Sequence, residues 1–509
     1  MKMKAKFGDI KYSYDGELND FFKNFNKLAV MFTKYNSEFL GKMYETIPPN
    51  LSSYFKNVNN LFDEFWHIKK PDVENLPDDP NILHANGHDI YNYVARYGLT
   101  NHQIQAVMKL DGHLDFDRLI QAVRLTIDAQ PVFGCRFVEN EPPYWKRLDN
   151  IDQVEFCSME EPENSDEAIK NFIESPMDMD KDPMLKVKLI RTSQYDTLCI
   201  KNNHTCCDGA GIKEYIQLLS EIYNIIEQDG VFTPSPVKRS RKDQDILFNE
   251  LGISNPEKEW KPGSEITRAT WPFPWTTMQS DRFHILFCRL PEGQLDEITR
   301  YAKANKVTIN DLVLAAYYRA MAQLGPTVYS EPMEISFTID LRRYLPGNKT
   351  EAIRNFSGSE ITRLALIPDE SFRDTLSRII PVMNKIKNNR PGLQSAIGLE
   401  RIEKMAFKDS LTYYKAVSLW HCSCGNKCAP ALSNVGVFSD TLVKFGDKTV
   451  TDAYIVPLVV RAPGLLLMVS TYNGVMTLAS GIYEASVPRR NIRTLLNKIS
   501  SELVEGCRL

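Results

Sequence analysis

The stretch Thr197-Leu-Cys-Ile-Lys-Asn-Asn-His204-Thr-Cys-Cys-Asp208-Gly209 decides how the rest of the chain is read. Thr197 to Asn202 has the content of a strand, and it runs straight into His204. Asp208 and Gly209 then open a helix with Ile212, Tyr215, Ile216, Leu219, Ile222, Tyr223 and Ile226 on one face, and Gly230 is well placed to end it. A histidine at a strand end has a fixed backbone and a free imidazole edge. Its near-neutral pKa lets it accept a proton from an alcohol or amine at pH 7. Asp208, four residues on in a tight turn, either bonds the imidazole or holds the loop through a cation. Gly209 lets the backbone turn without a Cβ clash. On pattern alone, a loop histidine beside a helix-capping aspartate fits the same residues.

Outward from this turn, strand and helix patterns alternate. Ile104, Ala106, Met108 and Leu110 alternate as a half-buried strand ending at Asp111-Gly112, and Asp115 caps a helix with Phe116, Leu119, Ile120, Val123 and Ile127 inward. Pro131 ends that helix, and Val132, Phe133, Cys135 and Phe137 predict a further strand. Leu185, Val187 and Leu189 predict another. Beyond a crossover rich in Pro and charge, a helix opens near Thr308. Strands are expected at 334–339, 360–366, 453–460, 465–472 and 475–482, with Asn473-Gly474 as a hairpin turn and a terminal helix from Arg489 to Val504. The expected fold is α/β: two lobes of similar size with mixed sheets and a ligand channel between them. The boundaries are 1–85 for an N-terminal helical extension, 86–235 for the first lobe, 236–280 for the crossover and 281–509 for the second lobe. In the extension, Leu18, Phe21, Phe22, Phe25, Leu28, Ala29 and Phe32 fall at helical spacing. A second run holds Phe55, Val58, Leu61, Phe62 and Phe65. A helical hairpin packed on the body is the plain reading. The Phe-rich face over residues 17–68 makes peripheral membrane or partner contact the alternative.

At 509 residues the chain exceeds the size at which a single core usually stops growing. Lys plus Arg is 61 against 65 Asp plus Glu, a net charge of −4, so no bulk positive field exists to hold nucleic acid. The ten cysteines are too dilute for a disulfide scaffold, and the adjacent Cys206 and Cys207 suit a reducing compartment. No apolar h-region follows the N-terminus, and Arg461, Pro463 and Gly464 break the longest apolar stretch. The expectation is therefore a cytoplasmic protein without a membrane span.

The ordered set of motifs resembles the superfamily of chloramphenicol-acetyltransferase-like acyltransferases. This includes peptide-synthetase condensation domains, polyketide-associated acyltransferases, alcohol acetyltransferases and wax-ester synthases. Their His-His-x-x-x-Asp-Gly signature is read here as Asn203-His204-Thr-Cys-Cys-Asp208-Gly209. Leu110 to Val123 resembles the first strand and helix, Asp178 to Ile190 the approach to the motif strand, and Val307 to Ala316 the opening helix of the second half. Ile339-Asp340-Leu341-Arg342-Arg343, Asn355-Phe-Ser-Gly358, Ser433-Asn434-Val-Gly436 and the final hairpin complete the order, so the likeness covers about residues 86–509. It implies catalysis by His204 and positioning by Asn203, which stands where the family often has a first histidine. It also implies that Asp208 pairs with an arginine of the second half, Arg342 first and Arg343 second. Ser433, Asn434 or backbone amides are the candidate oxyanion donors.

The implied reaction is acyl transfer from a thioester to an acceptor hydroxyl, with His204 as general base, no permanently bound cofactor and no metal. Acyl-CoA is the expected co-substrate and a small alcohol the acceptor. The absence of an adjoining adenylation or carrier sequence suits free-standing action. The alternatives are a carrier-protein-bound donor with an amine acceptor, and an inactive homologue serving as a binding or assembly module. Nucleophilic catalysis by Cys206 or Cys207 is a minor reading. The spacing of His421, Cys422, Cys424 and Cys428 lacks the paired knuckles of a zinc ribbon. Lys238, Arg239, Arg241 and Lys242 read as a solvated run before a phosphate site, and Trp271, Phe273 and Trp275 as anchors of the crossover. His67, His84, His88, His102, His113 and His284 read as surface or core histidines.

Overall fold

The computed structural model describes residues 2–7, 10–15, 79–237, 240, 242–261, 267–274, 281–325, 329, 331–411, 414, 427–439 and 441–508. Its first elements are β1 (Lys2–Phe7) and β2 (Ile10–Asp15), an antiparallel pair where the sequence reading expected a helical extension. The two Phe-rich helical runs of that extension lie outside the described residues, as does His67. The body begins slightly before its expected start at Asn86, because β3 (Ile82–His84) pairs with β6 (Tyr144–Arg147), itself paired with β5 (Cys135–Val138). Asn86 caps the helix α1 (Gly87–Val94). Pro131 does end the preceding helix, but its fixed φ favours a 3₁₀ turn over 131–134, so the strand starts only at Cys135.

The first lobe is built on β4 (Gln103–Leu110), β7 (Cys157–Glu160), β8 (Leu185–Arg191) and β9 (Asp196–Asn203). Helix α2 (Phe116–Ala129), capped by Asp115, and helix α3 (Ser165–Glu174) lie between them in sequence. The motif helix α4 (Gly209–Asp229) ends at Gly230 with φ of 75°, a left-handed geometry that glycine adopts without strain. Packing of α2 and α4 buries Leu119, Val123 and Ile127 against Tyr215, Ile216 and Leu219 in the first core. The opposite face of the sheet holds the end of α3. Lys201, Gln103 and Gln105 all donate to its terminal carbonyls at Phe172, Ile173 and Ser175. Polar side chains are therefore buried on β4 and β9 for a structural reason: they satisfy a helix C-terminus.

The crossover is less of a linker than its composition suggests. Helix α5 (Lys242–Glu250) buries Leu247 and Phe248 in the second core, and Asp243 pairs with Arg354 at 3.2 Å. Trp271, on the two-residue strand β10 (Trp271–Pro272), is buried and donates its indole N–H to the Glu334 carbonyl, while Phe273 is buried nearby in the same core. Trp275, Lys238, Arg239 and Arg241 lie outside the described residues.

The second lobe contains β11 (Phe283–Arg289), α6 (Gln294–Ala304), α7 (Ile309–Ala322), β12 (Pro332–Asp340), β13 (Ser357–Ala365), α8 (Phe372–Lys387) and α9 (Leu393–Lys404). It continues with β14 (Lys427–Val437), β15 (Lys444–Phe445), β16 (Lys448–Val456), β17 (Gly464–Tyr472), β18 (Val475–Tyr483) and α10 (Arg489–Gly506). Its main sheet runs β11-β18-β17-β14-β12-β13. β14 is parallel to both neighbours and the other pairs are antiparallel, so the sheet is mixed. The expected division at residue 281 is not strict. β15 and β16 leave the second lobe and complete the first sheet in the order β15-β16-β4-β9-β8-β7, with Ala453 opposite Met108 and Ile455 opposite Ala106. The sequence reading places this strand at 453–460 and names no partner for it; the observed strand begins at Lys448 and stops at Val456, before Pro457. The free edge of β4 supplies that partner.

Candidate active site

The motif turn lies at the seam of the two lobes. β9 pairs with β4 as far as Asn203 opposite Gln103, and the His204 N–H then donates to the His102 carbonyl at 2.7 Å. The His204 main chain is thus held as one more rung of a buried ladder. The Asn203 side-chain oxygen accepts the Thr205 N–H at 3.0 Å, tightening the turn. From the second lobe, Asn355 Nδ2 donates to the carbonyls of both His204 and Thr205, at 2.8 and 2.9 Å. Two separate segments, at His102 and at Asn355, therefore fix the histidine backbone before its ring is considered.

The His204 ring is half-buried, with Nδ1 sealed from solvent. The residue's own carbonyl favours a proton on the ring, though no hydrogen-bond geometry is reached at Nδ1. Burial lowers the imidazole pKa below its ordinary value, and the Asp208 charge opposes that shift. The ring is thus biased toward its neutral form, in which a proton on Nδ1 would leave Nε2 as the basic lone pair.

Asp208 does not bond the imidazole. One carboxylate oxygen caps α4 by accepting the Gly211 N–H at 2.9 Å. The other accepts from Arg342 Nη1 at 3.0 Å and from the Phe356 N–H at 2.7 Å. Burial alone would raise its pKa. The guanidinium and the two amides outweigh burial and hold it below the ordinary carboxylate value. Arg342 reaches the site because β12 ends at Asp340, whose side chain accepts the Arg342 N–H and starts a short 3₁₀ turn. The same guanidinium lies 3.0 Å from Glu214 on α4, donates to the Arg354 carbonyl at 2.8 Å and lies 3.3 Å from Asp340. Arg343 is exposed, so the pairing belongs to Arg342. Burial pushes the Glu214 carboxyl up to about 7, against the pull of Arg342.

Gly209 is where the lobes touch. A Cβ built there would lie 2.5 Å from Val435 Cγ1, so β14 could not approach the motif past any larger residue. Lys213, one turn further along α4, clamps the same place by donating to the Val435 and Val437 carbonyls at 2.8 and 3.1 Å. Of the two β14 residues expected at the site, Asn434 is committed elsewhere. Its side-chain oxygen accepts the Gly436 N–H across a bulge, and its amide points to Asn310 at 3.5 Å. The Ser433 hydroxyl lies 3.5 Å from Thr338 Oγ1. Val435 is the β14 residue that meets the turn. Cys206 and Cys207 are fully buried, and Asn202 Nδ2 donates to Cys207 Sγ at 3.4 Å, a setting for packing more than for attack. Cys428 is buried on β14 opposite Trp271, whereas His421, Cys422 and Cys424 lie outside the described residues. Among the described residues no cluster could hold a metal ion, and no helix is long and apolar enough to cross a membrane.

Reading the sequence for this site did not single out Glu214 or Lys213, noted Asn355 and Val435 only within motifs, and left His102 as a surface or core histidine. Lys213 and Glu214 sit on the motif helix but find their partners, Val435 and Arg342, across the lobe boundary, and His102 meets His204 across a strand ladder, so no local spacing encodes these contacts.

Residues 99–246 match the family model of the Condensation domain. In sequence, half of the chain is 25% identical over 282 residues to surfactin synthase subunit 1 of Bacillus subtilis, of which this chain spans 8% of the length. In fold, it is similar to polyketide synthase associated protein 5 from Mycobacterium tuberculosis, with a TM-score of 0.60 and 16% identity over 82% of this chain and 97% of that one. It is likewise similar to the TRI3 trichothecene 15-O-acetyltransferase from Fusarium sporotrichioides, with a TM-score of 0.65 and 12% identity over 86% of this chain and 97% of that one. By sequence in its first lobe, and by a two-lobed fold with mixed sheets over more than four-fifths of its length, the chain resembles the condensation-domain members of the chloramphenicol-acetyltransferase-like acyltransferase superfamily.

Proposed function

We propose that the protein transfers an acyl group from a thioester, acyl-CoA in the first instance, to the hydroxyl of a small acceptor, with His204 as general base. The observation that carries this reading is the His204 turn itself. Its backbone is fixed by His102, Asn355 and the Asp208–Arg342 pair, its Nδ1 is buried, and among the described residues nothing hydrogen-bonds Nε2. As the acceptor oxygen attacks the thioester carbonyl, Nε2 takes the hydroxyl proton. Collapse of the tetrahedral intermediate breaks the C–S bond, and the imidazolium returns the proton to the leaving thiolate. Atoms and charge balance without a covalent acyl-enzyme. Ser433 is the side chain we assign to the developing oxyanion, and Asp208 acts by holding the turn.

The test is thiol release across acyl-CoA chain lengths with alcohol and amine acceptors, comparing wild type with His204→Ala. Positioned general-base catalysis is worth about 10²–10⁴-fold, so the variant loses that much turnover while remaining folded. A full-rate variant would remove His204 from the mechanism. The match of residues 99–246 to the Condensation domain supports a second reading, in which the donor is carried by a separate protein and the acceptor is an amine. Activity only with an acylated carrier selects that reading. Binding of thioesters without turnover in either arm selects an inactive binding module.

A further inference from the structure

The structure assigns His102 as a positioning residue for His204: the two face each other across the end of the β4–β9 ladder, and the His102 carbonyl and ring hold the catalytic imidazole in place and away from water. The inference rests on His204 being the base and adds a second residue to that site.

The register makes the two histidines cross-strand neighbours, since Gln103 pairs with Asn203 and the next rung is the His204 N–H to His102 carbonyl bond. His102 accepts a left-handed backbone, φ of 53°, to offer that carbonyl. For a residue with a Cβ this costs on the order of 1 kcal/mol. The turn is shaped by two side chains: Thr100 Oγ1 accepts the His102 N–H, and Asn101 Oδ1 accepts the N–H groups of Gln103 and Val459. Glycine would adopt the same backbone freely, so the side chain is what the strain retains.

That side chain is only 2% exposed, and neither ring nitrogen makes a hydrogen bond; the Ala95 carbonyl lies toward the ring without reaching hydrogen-bond geometry. A buried polar ring without partners is unfavourable, and a leucine would fill the space without that cost. Burial, reinforced by the charge His204 would carry, depresses its pKa to about 3, so the ring is uncharged at any working pH. Other charged groups bear on the pair. Asp208 favours protonation of His204 from its own turn, with Arg342 and Glu214 beyond it, and Arg96 disfavours a charge on His102. His102 therefore excludes water from His204 and adds no charge that would compete with the proton His204 must carry in mid-reaction.

Deuterium exchange at the histidine ring Cε1–H, followed by mass spectrometry on the full chain from pH 4.5 to 8, reads both rings without an activity assay. In wild type, His102 exchanges slowly with no titration step above pH 5, and His204 titrates below the ordinary value. In His102→Ala, water reaches His204, its titration moves up by about one pH unit, and kcat falls roughly ten-fold or more at nearly constant KM. His102→Gln, polar and of similar reach, recovers most of kcat. An ordinary His102 titration near pH 6.5 in wild type overturns the inference, and this arm needs no variant to fold. So does a His102→Ala protein that is merely less stable, with the His204 titration and kcat unmoved. If the ring titrations behave as described but no thioester is turned over, the acyl-transfer reading fails and the positioning role stands.

Discussion

Replacing Arg342 by methionine tests how the two lobes present the motif. The guanidinium is 2% exposed and its partner Asp208 6%, so the pair is out of reach of solvent screening. An exposed ion pair would be worth about 0–1 kcal/mol. Removing one member of a buried pair instead strands the other, at about 3–5 kcal/mol. Here three carboxylates, Asp208, Glu214 and Asp340, lose their common cation. Methionine fills the space, so the loss is chiefly electrostatic. The measurement is denaturant unfolding of wild type, Arg342→Met, Asp208→Asn and the double variant, as a function of pH. Arg342→Met is expected to lose about 3–5 kcal/mol at pH 7. The double variant should be more stable than the sum of the two losses by at least about 1 kcal/mol, because the second change removes a charge already stranded. The pH dependence has a definite sign. In wild type the folded Asp208 pKa lies below its unfolded value, so its stabilisation is present above that unfolded value and lost as pH falls through the folded one. Without Arg342, burial raises the folded pKa. The deficit of Arg342→Met is then greatest at neutral pH and narrows toward about pH 4, the ordinary carboxylate range. Additive losses within about 0.5 kcal/mol, or a deficit independent of pH, would refute the argument that this pair joins the lobes.

Two further outcomes follow from the same seam. Glu214 titrates at about 7 in the fold against an ordinary 4.5, so the folded state holds its proton more tightly, and stability contributed by the neutral carboxyl is lost as pH rises from about 4.5 to 7; thermal unfolding of Glu214→Gln should show a flatter profile across that window, and an unchanged slope would contradict the burial argument. Gly209→Ala places a methyl 2.5 Å from Val435 Cγ1, which should cost about 1–3 kcal/mol and lower turnover; a Gly209→Ala, Val435→Ala double variant regains most of both, and failure to recover would mean that the glycine is required by its backbone and not by its neighbour.

The local elements were legible because periodicity is local. The apolar stripe from Ile212 to Ile226, the Asp115 and Thr308 caps and the Asn473-Gly474 turn each announce an element within a few residues, and each stands in the fold. Asp208 meeting Arg342 was expected only through a family likeness, since 134 residues separate them and nothing in either segment names the other. What stayed hidden is what depends on pairing at a distance. The strand expected at 453–460 is observed at 448–456, and nothing in its own residues says that it joins the other lobe. Asn434 looks as available as Ser433 until a bulge turns its side chain onto Gly436. His102 reads as one histidine among eight until the register sets it opposite His204.

The strand borrowed by the first lobe also sets the order in which the chain can be completed. The Thr449 N–H meets the Asp111 side chain from 338 residues away, beside the ladder of β16 on β4. During synthesis this edge of β4 must therefore wait, unpaired, until residues 448–456 have left the ribosome. Such an edge is open to strands of other chains, and long-range closure of this kind is slow. The first sheet is thus completed only after β11 to β14 of the second lobe have been made, because its closing strand lies beyond them in the chain.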